Sequence, residues 1–248
     1  AALILSTDGA LALGILAAIA LLFAMALGRA GGMERIGLRP LAAYEKLRLA
    51  VSEAAETGQT MHLAAGTGAV GTPATADTLA GVNAVAGMAW RAAAAHVPML
   101  LTTPSPLVLP LLQSAAEQAY ALAGAADEYR PTQVRFTGDD RNAYAVAVAD
   151  SLAYEHVGSN LLLGSLGDEL LFIGERGQAA GVSQVVGTAS MGALPYAVAT
   201  ADHVAIGEEI FAAGAYLGRQ RSHLASLLAQ DWLRLLVVAA ILVGVFVK

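Results

Sequence analysis

The sequence predicts an α/β protein built on a doubly wound, mostly parallel six-stranded sheet, with a transmembrane helix at each end of the chain. Three observations carry that reading. From Gln59 onward short β-type runs alternate with longer alanine-rich helical ones, the pattern of strands covered by helices on both faces. Each short run ends in glycine or a small hydroxyl residue. The composition, 56% hydrophobic against 14% charged with a mean hydropathy of +0.59, is more apolar than a soluble domain of 248 residues and directs attention to a bilayer.

Between Asp8 and Arg29 no charge occurs, and residues 10–27 form an apolar run of eighteen residues, about 27 Å of helix at about 1.5 Å per residue. Residues 1–9 hold no Lys or Arg, so the basic leader of a signal peptide is missing and residues 1–30 read as a retained anchor. Ala10, Gly14 and Ala18 recur every four residues, a stripe that would let another helix approach closely in lipid, though such helices carry small residues without a partner too. Residues 31–58 read as a linker whose helix covers 41–56. The α/β domain follows at 59–222, with strands expected at 59–65, 97–103, 133–137, 160–164, 183–187 and 203–206. Its helices are expected at 76–95, 107–124, 142–156, 168–177 and 208–217, with no internal repeat among them. A second membrane helix is expected in residues 223–248. The uncharged run 235–247 is extended back to Trp232 by a snorkelling Arg234 and closed by Lys248 on the far side.

Positive charge sets the expected orientation. Arg29, Arg35, Arg39, Lys46 and Arg48 follow the first helix and Arg219, Arg221 and Arg234 lie at the start of the second, which puts the α/β domain of a two-pass protein in the cytoplasm.

In an open parallel sheet the C-terminal strand ends share one edge, and ligands bind there where the strand order reverses. The expected ligand-binding set is Gly66, Thr67, Gly68 and Gly71 after the first strand, Thr102 on the second and Asp139 after the third. Gly164 and Ser165 complete it after the fourth, with Gly187, Thr188 and Ser190 after the fifth. Strand-to-helix turns need glycine and capping residues whatever they bind, so the set marks a place and names no ligand. Residues 66–71 fit G-x-G-x-x-G, but Pro73 and Thr75 delay the helix to about residue 76, and the second strand ends in Thr102-Thr103-Pro104 without a carboxylate for a ribose. A tight glycine loop holding a phosphate or carboxylate therefore fits better than a nicotinamide or flavin site.

The rest of the inventory excludes more than it assigns. There are no cysteines, which removes disulfides, thiol nucleophiles and iron–sulfur clusters. The only lysines are Lys46 and Lys248, so the domain has none for a Walker-type loop or a Schiff base. Residues 40–230 hold nine bases against seventeen acids, which argues against nucleic acid as a partner. Asp77, Asp139, Asp140, Asp168, Glu169, Glu208 and Glu209 gather where helices begin, as caps and dipole partners do. Convergence of Asp139, Asp140, Asp168 and Glu208 on a hard cation is the alternative, unsupported by any D-x-D-x-D spacing. The histidines are scattered, and His62 and His203 read as satisfied strand residues. Ser165 and Ser190 lack the G-x-S-x-G elbow, so no catalytic residue, metal ligand or cofactor is assigned.

The runs AAGTGAVGTPATADTLAGV, VPMLLTTPSPLVLPLLQSAAEQAYALAG and GTASMGALPYAVATADHVAIGEEIFAAGAYLGR resemble an uncharacterised family of bacterial membrane-anchored proteins defined only as a domain of unknown function, over about residues 35–235. The resemblance implies a bacterial cell membrane, an anchor and a Rossmann-like cytoplasmic domain, and attaches no activity. Two functions are expected to compete. One is a membrane-anchored, self-associating module with a scaffolding role in a homo-oligomer. The other is a small-ligand or nucleotide-binding, or enzymatic, domain using the glycine-lined crevice.

Overall fold

A computed structural model describes residues 7–30, 38–218 and 221–246, and divides into two compact units, residues 39–218 and residues 1–38 with 219–248. In chain order the elements are α1 (Thr7–Ala30), α2 (Ala42–Thr57), β1 (Thr60–Gly66), α3 (Thr75–Ala94), β2 (Met99–Thr103), α4 (Leu109–Ala123) and β3 (Val134–Phe136). There follow α5 (Arg141–Tyr154), β4 (Val157–Ser165), α6 (Glu169–Ala179), β5 (Ser183–Thr188), α7 (Leu194–Thr200), β6 (His203–Ile206) and α8 (Arg221–Phe246).

The six strands form one sheet, every pairing parallel, in the order β3-β2-β1-β4-β5-β6. The fold is Rossmann-like, with the order reversing between β1 and β4. Strand periodicity divides the core in two. Met61, Leu63 and Ala65 of β1 face a cluster with α2, α3 and α4, while Ala64 faces Tyr144, Val148, Leu170, Ile173 and Ala197 of α5, α6 and α7. Each strand expected from the sequence is present. β4 begins earlier than expected, at Val157, and β3 shortens to three residues.

Three differences have local causes. The helix expected at 208–217 is a 3-10 turn, Gly207–Ala212, followed by a π turn, Gly214–Gly218. Glycines at 207, 214 and 218 weaken a regular helix there, and from the π turn the Tyr216 ring stacks on Tyr44 at 5.1 Å and its hydroxyl donates to Arg39 O at 2.6 Å. The short α7, begun by Leu194 and Pro195, is absent from the sequence expectation because its seven residues carry no helical period. An internal repeat does exist. Thr103-x-Ser105-x-x-x-Leu109-Pro110 after β2 matches Thr188-x-Ser190-x-x-x-Leu194-Pro195 after β5, and in both the Ser amide donates to the Thr Oγ1 at 3.1 Å. The halves β1–β3 and β4–β6 thus share one plan.

In the other unit α1 and α8 pack side by side, with Ala26 against Ala225 among Leu228, Ala229 and Trp232. Beside that contact lies a cleft of about 410 Å³, lined by Leu16, Ile19, Ala20, Leu22, Phe23, Ser226, Ala229, Gln230 and Leu233. Among the described residues one helix is long and apolar enough to cross a bilayer, α1, through the window Ala12–Arg29 with a mean hydropathy of 2.1. α8 has 26 residues but carries the Asp231–Arg234 pair at 3.4 Å. Lys248, Arg35 and Arg219, to which the sequence reading gave anchoring and orienting roles, lie outside the described residues.

Candidate functional site

Because α3 and α6 leave the adjacent ends of β1 and β4 for opposite faces of the sheet, a crevice opens between the two loops. Gly66 closes β1 at φ +76°, and a Cβ on it would stand 2.4 Å from the Ser165 carbonyl oxygen, so the loop passes that close only because the residue is glycine. Thr67 then ties the two sides together. Its amide donates to Ser165 O at 2.8 Å and its hydroxyl to Glu169 Oε1 at 2.7 Å. The same carboxylate oxygen accepts from Gly167 N at 2.8 Å. Glu169, the first residue of α6, is only 3% exposed, and its other oxygen, Oε2, is buried without a hydrogen-bond partner. A carboxylate is favoured at a helix N-terminus, but an unsatisfied buried oxygen is costly.

Gly66, Thr67, Gly68, Gly164 and Ser165 are therefore brought together at the switch point. Gly71 is exposed at the far end of the loop, and Asp139 is exposed after β3, where its neighbour Asp140 caps α5 by accepting from Asn142 N and Ala143 N. Gly187 packs under Leu163 and Ile210, and Thr188 and Ser190 bond each other on the rim beyond β4. Several donors of the glycine loop are taken up within the chain. Gly71 N and Thr72 N donate to Thr75 Oγ1 at 2.9 and 3.1 Å, and Ala74 N donates to Thr72 Oγ1 at 3.2 Å. Those amides, with that of Thr67, are engaged within the chain rather than turned toward an anion. The unpartnered groups at the rim are side-chain oxygens. Of the four buried ones among the described residues, Ser105, Thr137 and Glu169 follow β2, β3 and β4, and Ser159 lies near the other edge.

Thr102 lies beneath the rim in a buried polar row. His62 of β1 meets Asn160 of β4 through Nδ1 at 2.7 Å and Thr102 through Nε2 at 2.8 Å. Gln184 Nε2 donates to the carbonyls of Gly174 and Thr200, which orients its amide so that Gln184 Oε1 accepts from Asn160 Nδ2 at 3.2 Å. Asn160 Oδ1 is then left as an acceptor. The neutral His62 tautomer that fits carries its proton on Nδ1 and accepts from the Thr102 hydroxyl, which in turn meets Tyr144 Oη at 3.3 Å. Burial lowers the His62 pKa to about 4, only partly offset by the Asn160 hydrogen bond, so the ring is neutral near pH 7. Burial pushes the Tyr144 hydroxyl up, and the Glu169 carboxylate adds to the rise.

Glu169 and the row of His62, Asn160 and Gln184 were not in the expected set. A signal for the row exists, a large polar side chain, His, Asn or Gln, near the start of each of three strands otherwise made of apolar and small residues. Glu169 was legible only as one more acid in a first helical turn. Asp139, Asp140, Asp168 and Glu208 do not converge, and among the described residues no three acidic or histidine side chains are grouped to hold a metal ion.

No curated protein and no solved structure matches the chain. The model of a family described as a domain of unknown function, DUF6754, matches residues 6–248. The switch-point crevice and the sheet beneath it thus lie inside the matched region, and the chain belongs to the DUF6754 family over nearly its whole length.

Proposed function

We propose that this is a bacterial, bilayer-anchored protein whose α1 and α8 lie in the membrane and whose α/β unit faces the cytoplasm, working as a self-associating scaffold in a homo-oligomeric membrane complex. The observation that carries the reading is the uncovered apolar surface of both helices. Leu13, Ile15, Leu16, Ile19, Leu21 and Phe23 of α1 and Leu235, Leu236, Val237, Val238, Ile241 and Leu242 of α8 are exposed, which in water would be a severe aggregation liability. Gly14 has nothing within 4 Å of where a side chain would project, leaving room for the helix of a second copy. Within the α/β unit, the Tyr216–Arg39 bond pins the two ends together, as an insertion between paired helices requires. Carbonate extraction of membranes and sizing of the detergent-solubilised chain test the proposal. Release into the soluble fraction ends the anchoring half, and a clean monomer ends the scaffolding half.

A second reading is favoured by the orphaned Glu169 oxygen. In it the crevice between β1 and β4 takes a small ligand that supplies the missing donor, with Thr67 and Ser165 beside it. Hydrogen exchange over residues 66–70 and 165–170, measured with and without candidate ligands, tests it.

A further inference from the structure

The rim contains an ion pair that is not closed. Arg141, the first residue of α5, is exposed and, among the described residues, has no hydrogen-bond or ion-pair partner. Its Nη1 and Glu169 Oε2 lie 3.0 and 2.7 Å from one point beside Gly167, where a side chain would begin, and so are no more than about 6 Å apart. The two are nevertheless not in contact. One water can bridge two groups held at most that far apart; a ligand can instead set an acceptor on the guanidinium next to a donor on the carboxylate, meeting both charges.

The surroundings exclude the simpler occupants. A phosphate would bring its negative charge against the Glu169 carboxylate, and four of the nearby amides it would use, those of Thr67, Gly71, Thr72 and Ala74, are engaged by the chain. A plain anion would face the Glu169 carboxylate, and a plain amine would face Arg141. A divalent cation would want several oxygens, and among the described residues no such group of three acids or histidines exists. What satisfies both charges is a molecule carrying both partners side by side.

We propose that Glu169 and Arg141 read a small carboxylate with an ammonium or hydroxyl group on the adjacent carbon, an α-amino or α-hydroxy acid, at the switch point between β1 and β4. Arg141 takes the carboxylate, Glu169 Oε2 accepts from the neighbouring donor, and Thr67 holds Glu169 in place through Oε1. This rests on the second reading above, that the crevice binds a small ligand. The glycine turn then serves to bring the β1 loop against Ser165 rather than to cradle phosphate.

The test uses the full chain in detergent, titrated calorimetrically with L-serine, L-leucine, L-glutamate, L-lactate, acetate, ethylamine and ADP, with hydrogen exchange followed over residues 66–70 and 165–170. The expected result is that at least one of the first four binds and protects both segments, while acetate and ethylamine bind at least about tenfold more weakly. Glu169→Gln keeps the Oε1 acceptor and Arg141→Gln changes an exposed position, and each is expected to weaken that binding at least about tenfold with the unliganded melting temperature little changed. If ADP or acetate binds as tightly as any of the first four and protects the same segments, the crevice reading survives and the assignment of the pair is wrong. Binding of an amino or hydroxy acid that neither variant weakens also overturns the assignment. Protection by no probe overturns both.

Discussion

Lowering the pH from 7 toward 4 should destabilise the α/β unit through one side chain, His62. The ring is fully buried and its pKa falls from 6.5 to about 4 on folding, with burial the main cause. The unfolded chain therefore takes up the proton first. Stability is fully present above pH 6.5, declines between 6.5 and about 4, and levels off below that, because only there does the native state bind the proton as well. At about 1.4 kcal/mol per pH unit the difference between the two pKa values comes to about 3 kcal/mol, a large share of a typical domain's roughly 5–15 kcal/mol. Protonation would also force the row to rearrange. A second proton on Nε2 would meet the Thr102 hydroxyl, which already donates to that nitrogen, and Asn160 is held in its orientation by Gln184. The assay is denaturant unfolding of the full chain in detergent, followed by fluorescence in a Trp232→Phe background so that Trp90 alone reports. His62→Gln provides the comparison, since the polar row keeps a donor and an acceptor but loses the titration. Glu155, whose pKa is lowered by the hydrogen bond from Arg135, also loses stability as pH falls, and only the part of its shift that does not come from the His62 charge cancels between the two proteins. The stability of the His62 protein relative to the Gln variant should fall by about 2 kcal/mol from pH 6.5 to 4.5. Parallel profiles would refute the reasoning, because the ring would then titrate alike in the folded and unfolded states.

Other outcomes follow from single contacts. Gly81→Ala places a Cβ 2.2 Å from Leu163 O and 2.9 Å from the Ala65 Cα, where α3 crosses β1 and β4, and should cost about 2–3 kcal/mol in thermal or chemical unfolding. Tyr216→Phe removes the hydrogen bond to Arg39 O but keeps the stack on Tyr44, for a loss of about 1 kcal/mol, while Tyr216→Ala should cost more in the same assay. Arg135→Gln breaks a 2.7 Å pair with Glu155 whose side chains are 45% and 38% exposed, so the change should stay under about 1 kcal/mol and shrink further in about 1 M salt.

Much of the candidate site was legible because it is made of local turns. Gly66, Thr67 and Gly68 follow one strand and Gly164 and Ser165 another, and the need for small residues at such turns is written in neighbouring positions. The row of His62, Thr102, Asn160 and Gln184 was not legible, because its members lie on four strands and their partnership depends on register. His62 sits opposite Asn160, and Asn160 opposite Gln184, only in the sheet order that forms. Glu169 was hidden for the opposite reason, since an acid in the first turn of a helix has a sufficient local explanation. Several amides of the expected anion cradle are engaged within the chain, at Thr67, Gly71, Thr72 and Ala74. Whether a loop N–H is free depends on whether a hydroxyl such as that of Thr75 has already folded back onto it.

By itself the sequence determined the six strands, most of the helices that alternate with them, the apolar first helix and the absence of cysteine from the chain and of lysine from residues 59–222. These follow from period, propensity and composition, which act over a few residues at a time. Only the tertiary structure decided the order β3-β2-β1-β4-β5-β6, the single tautomer left to His62, and the pairing of Thr67 with Glu169 across 102 residues of chain. Such contacts form when distant segments pack against one another, and nothing in the local sequence specifies which segments those are.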